Sequence, residues 1–139
     1  MTIKLRSVAA DVAQEKKGIW ISSADLPGVD FLVSSLYSPE YETARDLLLQ
    51  RLGAQFKGAT VPTEILLPRL GTLYAEHLLH GWRGFDEEYS REVAAEILGQ
   101  FQYRDIIKAV EWCAGQVTRI NFQFVDKDAG NSGKPSARA

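Results

Sequence analysis

Four groups of residues in this chain have types and spacings that could do chemistry. His77 and His80 stand three apart, with Glu76 beside them. A zinc-hydrolase helix needs His-Glu-x-x-His, two ligands four apart on one face with a glutamate as base. Here the order is Glu-His-Leu-Leu-His without an evident third ligand. The spacing therefore predicts one histidine at the core edge and one exposed. Cys113, the single cysteine, lies in Glu-Trp-Cys-Ala-Gly. A reactive thiolate needs an electropositive, partly exposed setting. Glu111 works against that, so Cys113 reads as a small core residue.

Asp86-Glu87-Glu88 is a dense acidic run. General acid–base work needs one carboxyl in an apolar pocket and a second at fixed separation. Three consecutive loop carboxylates point in different directions and stay hydrated, leading acidic charge toward the next helix. Gly133-Lys134 stands too near the C-terminus to open a phosphate-binding helix. No catalytic, cofactor or metal constellation emerges, and the expectation is a protein that is not an enzyme and binds other proteins.

The elements that would carry these residues can be read from turn chemistry and periodicity. Gly18–Ser23 and Val29–Leu36 are rich in β-branched and aromatic residues and flank Leu26-Pro27-Gly28. Proline presets φ and glycine supplies φ > 0, so the segment predicts a β-hairpin. Alternation puts Trp20 on one face and Ile19 and Ile21 on the other, with Val29, Phe31 and Val33 sharing a face. Ser38-Pro39-Glu40 predicts a helix start, followed by a stripe of Tyr41, Ala44, Leu47, Leu48, Leu52 and Phe56.

Pro62-Thr63-Glu64 opens a second helix, kinked or interrupted at Pro68 and stopping at Gly81. Ser90 caps a third helix through about Leu98. The last helix runs from about Gln102 to Phe124, with Tyr103, Ile106, Ile107, Val110, Ala114, Val117, Ile120 and Phe124 as its stripe.

The expected fold is a small, mainly α, α+β single domain: about four helices with an N-terminal β-hairpin. Residues 1–17 read as a loose arm, 18–125 as the globular domain and 126–139 as a disordered tail without large apolar residues. The 139 residues are 45% hydrophobic and 24% charged with a net charge of −2, ordinary values for one globular domain. Lysines and arginines are scattered, which argues against nucleic acid. The N-terminus lacks a signal-peptide core, and no apolar run approaches the roughly 20 residues of a membrane helix. A cytoplasmic protein without membrane partners is expected, and a single cysteine suits a reducing compartment.

One segment, Tyr74-Ala75-Glu76-His77-Leu78-Leu79-His80-Gly81-Trp82-Arg83-Gly84-Phe85, resembles the Leu-Leu-x-Gly-Trp-x-Gly core of tail assembly chaperones from long-tailed, non-contractile bacteriophages. The order of shorter pieces is similar too: Trp20 and Leu26-Pro27-Gly28, Arg45-Asp46, Tyr89-Ser90, Tyr103-Arg104-Asp105 and Asn131-Ser132. The resemblance spans about residues 3–132 and departs from the family in the proline-broken 62–68 segment. It implies a chaperone that coats and solubilises the tape measure protein in the bacterial host cytoplasm and is absent from the mature virion. It also implies a longer, frameshifted product that recruits the tail tube protein, and Gly133-Lys134 permits a slippery codon run. Many copies on one client would favour weak self-association.

Two alternatives stand beside it: a structural neck or tail-completion component of the virion, and a small enzyme built around His77 or Cys113. For protein binding, the hairpin edge through Val29, Phe31 and Val33 suits an extended partner. Trp82 and Phe85 are weaker candidates, better suited to bracing the helix connection. For a helical client, the exposed rims of the first two long helices are the alternative.

Overall fold

The polar N-terminal segment does not trail away from the body. In the computed structural model, which describes residues 2–130 and side chains through Val117 and at Arg119, a 3-10 turn at Leu5–Val8 leads into helix α1, Val12–Lys17. Asp11 caps α1 by accepting from the Gln14 N–H at 3.1 Å. Both pieces pack against the last helix, which corrects the expected loose arm. Gly18 then adopts φ +93° and turns the chain into the sheet.

Strands β1 (Ile19–Ser22) and β2 (Asp30–Val33) form the expected antiparallel hairpin, in register Ile21 with Phe31 and Ile19 with Val33. Its turn is held by the Leu26 N–H donating to Ser23 Oγ and the Val29 N–H donating to Leu26 O, both 3.1 Å. Gly28 supplies the positive φ. The face assignment holds: Ile21, Val29, Phe31 and Val33 are buried while Trp20 is exposed.

The hairpin does not stand alone. Leu79–Arg83 forms a third strand, β3, antiparallel to β2, giving the order β1-β2-β3. Local sequence favours extending the preceding helix through Leu78 and Leu79. Pairing wins because it satisfies the open backbone edge of β2 and buries Leu79 against the core. His80 sits where the register shifts.

The helices begin largely where their caps require. Helix α2 (Pro39–Gln55) starts at Ser38, whose Oγ accepts from the Tyr41 N–H, with Pro39 at the first position. Helix α3 (Thr63–His77) contains Pro68 in its second turn as one assigned helix. Proline there leaves the Glu64 carbonyl without its helical donor, and Glu64 is exposed. Helix α4 (Arg91–Leu98) is capped by Ser90, which accepts from the Val93 N–H at 3.0 Å. A 3-10 turn, Phe101–Tyr103, precedes helix α5, Arg104–Gly130. At 1.5 Å per residue α5 is roughly 40 Å long. It continues past the expected end at Phe124, and the rest of the expected disordered tail, 131–139, lies outside the described residues.

The result is a small α+β domain with five helices and a three-stranded sheet among the described residues. Ile107, Val110, Cys113, Ala114 and Val117 on α5 are fully buried, and α5 touches both the sheet and α3. The side chains of Ile120 and Phe124, expected on the same stripe, lie outside the described residues. Leu47, expected in the α2 stripe, is half exposed; only Tyr41, Leu48 and Leu52 of α2 are buried.

Two glycines permit close backbone approach. A Cβ on Gly71 of α3 would strike the Leu98 carbonyl oxygen and lie 3.1 Å from Ile107 Cδ1. Gly84 has φ +105°, and a Cβ there would strike the Gly28 carbonyl and lie 2.9 Å from Val29 Cα. Gly53 in α2 has open space around it. Alanine is the better helix former by about 1 kcal/mol. Gly53→Ala should therefore stabilise by up to about 1 kcal/mol, and Gly71→Ala should destabilise by about 2 kcal/mol or more. Urea unfolding of the two variants checks the opposite signs.

Candidate functional site

The residues first considered for partner binding fall in two places. Phe31 and Val33 are 0% exposed and Val29 is 7% exposed, all within the core. Strand β2 is central, hydrogen-bonded to β1 on one side and β3 on the other. The free edge expected at Val29–Ser34 is therefore occupied by β3, and these three side chains are corrected from contact surface to core.

Trp82 and Phe85 form an aromatic group with Tyr89. The Trp82 ring meets Phe85 edge-on at 5.6 Å and Tyr89 at 5.2 Å, and its Nε1–H donates to the Glu87 carbonyl at 2.8 Å. Phe85 also leans on Phe31 at 6.1 Å, and Tyr89 Oη donates to the Leu79 carbonyl. Trp82 and Phe85 are both partly buried against the core. Their contacts brace the loop from β3 to α4. The Asp86-Glu87-Glu88 run rides on this loop with exposed side chains.

On the sheet's outer face Trp20 lies across Gly81, with the Arg83 guanidinium 4.2 Å from its ring centre. Arg83 Nε also donates to Asp30 at 2.8 Å, and Ser22 Oγ donates to the same carboxylate. These bonds hold the Asp30 carboxyl below its ordinary value. Between the helices, Tyr74 Oη donates to Glu111 at 2.7 Å, and burial first, then this bond, raises the Tyr74 phenol.

A cleft of ≈ 470 Å³ opens where α1, the β2–α2 connection and the C-terminal end of α3 meet. Its wall includes Glu15, Ser34, Tyr37, Glu40, Glu76 and His80. The volume is within the range of small-ligand sites. Ser34 Oγ and His80 Nε2 are hydrogen-bonded across 46 residues of sequence. His77, also on the wall, faces the neighbouring Glu76 carboxylate at 3.6 Å. Glu15 is 7% exposed, and its Oε2 has no hydrogen-bond partner among the described residues. Among those residues no group of three or more histidine, cysteine or carboxylate side chains is arranged to hold a metal.

The histidine pair was legible as a pair of polar residues at a helix end. Its companions were not. Glu15 belongs to the segment read as a loose arm, and Ser34 reads as an ordinary strand residue. No periodicity links either to His80; a short run of Ser34-Ser35 leaving an apolar strand was the sole local signal. Cys113 lies away from the cleft, fully buried, with Sγ 3.9 Å from the Ile21 carbonyl. Burial, then the Asp30 charge, pushes its thiol up to about 12.

Comparison of the chain with known protein families, with curated proteins and with solved structures finds no match. No helix among the described residues is long and apolar enough to cross a membrane.

Two solution properties follow from this geometry. Cys113 should resist alkylation at neutral pH in the folded chain and react once urea unfolds it, as followed with a chromogenic thiol reagent. His80 is held below its ordinary value of 6.5 by burial first and by Arg91 second. The unfolded chain therefore takes up the His80 proton before the folded chain does as pH falls below about 6.5. Stability should decline with falling pH through that window, and the slope of unfolding free energy against pH should be shallower in His80→Asn.

Proposed function

We propose that this chain is a tail assembly chaperone of the kind found in long-tailed bacteriophages, binding and solubilising the tape measure protein before the tube forms around it. The observation that supports this most is the ordered series of short segments resembling that family, together with how those segments meet. Leu26-Pro27-Gly28 and Gly81-Trp82-Arg83-Gly84 are more than 50 residues apart, yet Gly84 rests on Gly28 and Arg83 stacks on Trp20. Tyr89, which opens the next segment of the series, packs edge-on against Trp82. These pieces of the series thus pack against one another across the sheet, as expected of segments that specify a fold together.

The client surface in this reading is α2. Its Leu47 and Leu49 are 46% and 45% exposed and flank the buried Leu48 on either side. Two positions apart on a helix, these leucines lie about 200° apart, on the two rims beside Leu48, and a helical client would lay its apolar stripe along one rim at a time. Each contact would be modest, and many copies on one client would supply retention through avidity while leaving release feasible. A longer frameshifted form that recruits the tail tube protein belongs to the same reading and rests on the resemblance.

Co-expression with a tape measure fragment tests the proposal. The fragment should become soluble and co-purify with the chain. A Leu47→Asp, Leu49→Asp double variant should retain its fold and lose most of that co-purification. A client that stays insoluble beside wild-type chain would sink the idea. Mass spectrometry of finished particles separates a chaperone, which should be missing, from a neck or tail-completion component, which should be present.

A further inference from the structure

The sheet keeps one backbone edge open among the described residues. The Ser23 N–H donates to the Val29 carbonyl, and the Ser34 N–H donates to the Leu78 carbonyl. Antiparallel ladders alternate, so the odd-numbered residues of β2 bond to β1 and the even-numbered ones to β3. In β1, Ile19 and Ile21 therefore direct their backbone groups at β2. The N–H and C=O groups of Trp20 and Ser22 point away from the sheet, without partners among the described residues. Both residues are exposed.

The surroundings leave this edge accessible. Helix α5 packs beneath the inner face of β1, with Cys113 Sγ at the Ile21 carbonyl. Helix α1 is held at the end of the sheet, where the Glu15 carbonyl accepts from the Ser35 N–H. The Trp20 ring leans back over Gly81 and the Arg83 guanidinium, away from the edge. Edge strands are commonly blunted by a lysine, a proline or a bulge, because a bare edge pairs with other chains. Ile19–Ser22 has none of these and pairs with β2 without a register shift. The β3 side is different: Tyr89 Oη donates to the Leu79 carbonyl, and the loop to α4 is pinned by the Trp82 indole N–H.

We infer that the β1 edge pairs with the β1 edge of a second copy of this chain, joining two sheets into one. A two-fold axis at Ile21 sets Trp20 of one copy opposite Ser22 of the other. In that register each outward N–H and C=O of these residues meets its complement on the other copy. The same register brings Lys17, just before one β1, level with Asp25, just after the other. Both are exposed, and neither has an ion pair among the described residues. A strand paired antiparallel with itself thus meets opposite charge at both ends. A strand of 4 residues makes a small interface, so the dimer is weak, with a Kd of about 10–100 μM. The inference rests on the sheet and not on the chaperone reading, whose client surface is α2; either can fail without the other.

Sedimentation equilibrium of the full chain from about 5 to 500 μM, a range that brackets this affinity, tests it. The average mass should rise from one chain toward two. In ¹⁵N-labelled chain, the Trp20 and Ser22 amides should shift with concentration more than those of Ile19 and Ile21. Ser22→Pro removes an outward donor and keeps every backbone bond to β2; it should weaken the dimer about tenfold or more. Lys17→Asp and Asp25→Lys each set like charges at both ends and should each weaken it about tenfold. An equimolar mixture of these two variants should dimerise about as tightly as wild type, because opposite charges face again. The mixture keeps the test decisive if Ser22→Pro does not fold. A chain that stays at single-chain mass to about 500 μM overturns the inference and leaves the edge to an extended segment of another protein. Dimerisation that folded Ser22→Pro leaves unchanged, or a mixture no tighter than either variant alone, also overturns it by placing the contact elsewhere.

Discussion

The pairing of β3 with β2 is the contact on which the rest of this structure depends. A two-stranded ribbon is marginal in water, and β2 would present an unpaired backbone edge. Adding Leu79–Arg83 makes β2 central and brings α3 and α4 against the same core. It also joins the N-terminal third of the chain to its middle. Gly84 resting on Gly28, with no room for a side chain, shows how closely the two segments approach.

That pairing explains the placement of the aromatic residues. Phe31 and Val33 face α5 and the core, each worth about 1.5–3 kcal/mol of burial. Trp82 aligns with Phe31 on the same face, and the ring contacts to Phe85 and Tyr89 continue that apolar layer past the sheet edge. On the opposite face, Trp20 takes the space above Gly81 and accepts the Arg83 guanidinium, while Asp30 holds Arg83 in position. The Gly-Trp-Arg-Gly segment is therefore a junction between both faces of the sheet.

The same pairing creates the cleft. Strand β3 begins one residue after Leu78, so His80 falls at the register shift and reaches Ser34 at the end of β2. Helix α1 closes the third side, with the Ser35 N–H donating to the Glu15 carbonyl at 3.2 Å. Polar groups are thus gathered at the sheet's margin, while α2 carries half-exposed leucines on a separate surface. The first turn of α2 lines the cleft through Pro39 and Glu40, and the half-exposed Leu47 and Leu49 lie farther along the same helix.

The features the sequence alone determined are those governed by local physics. Gly28 supplied the positive φ of the hairpin turn, Ser38 and Ser90 capped α2 and α4, and a 3.6-residue period buried Ile107, Val110, Ala114 and Val117 on α5. Each depends on neighbours within a turn or two. Only the tertiary structure decided that Leu79–Arg83 is a strand, that residues 5–17 pack on α5, and that Glu15, Ser34 and His80 line one cleft. These depend on pairings across tens of residues. Their energy comes from satisfying a distant backbone edge and burying distant surfaces, and such terms leave no periodic mark on the segments they join.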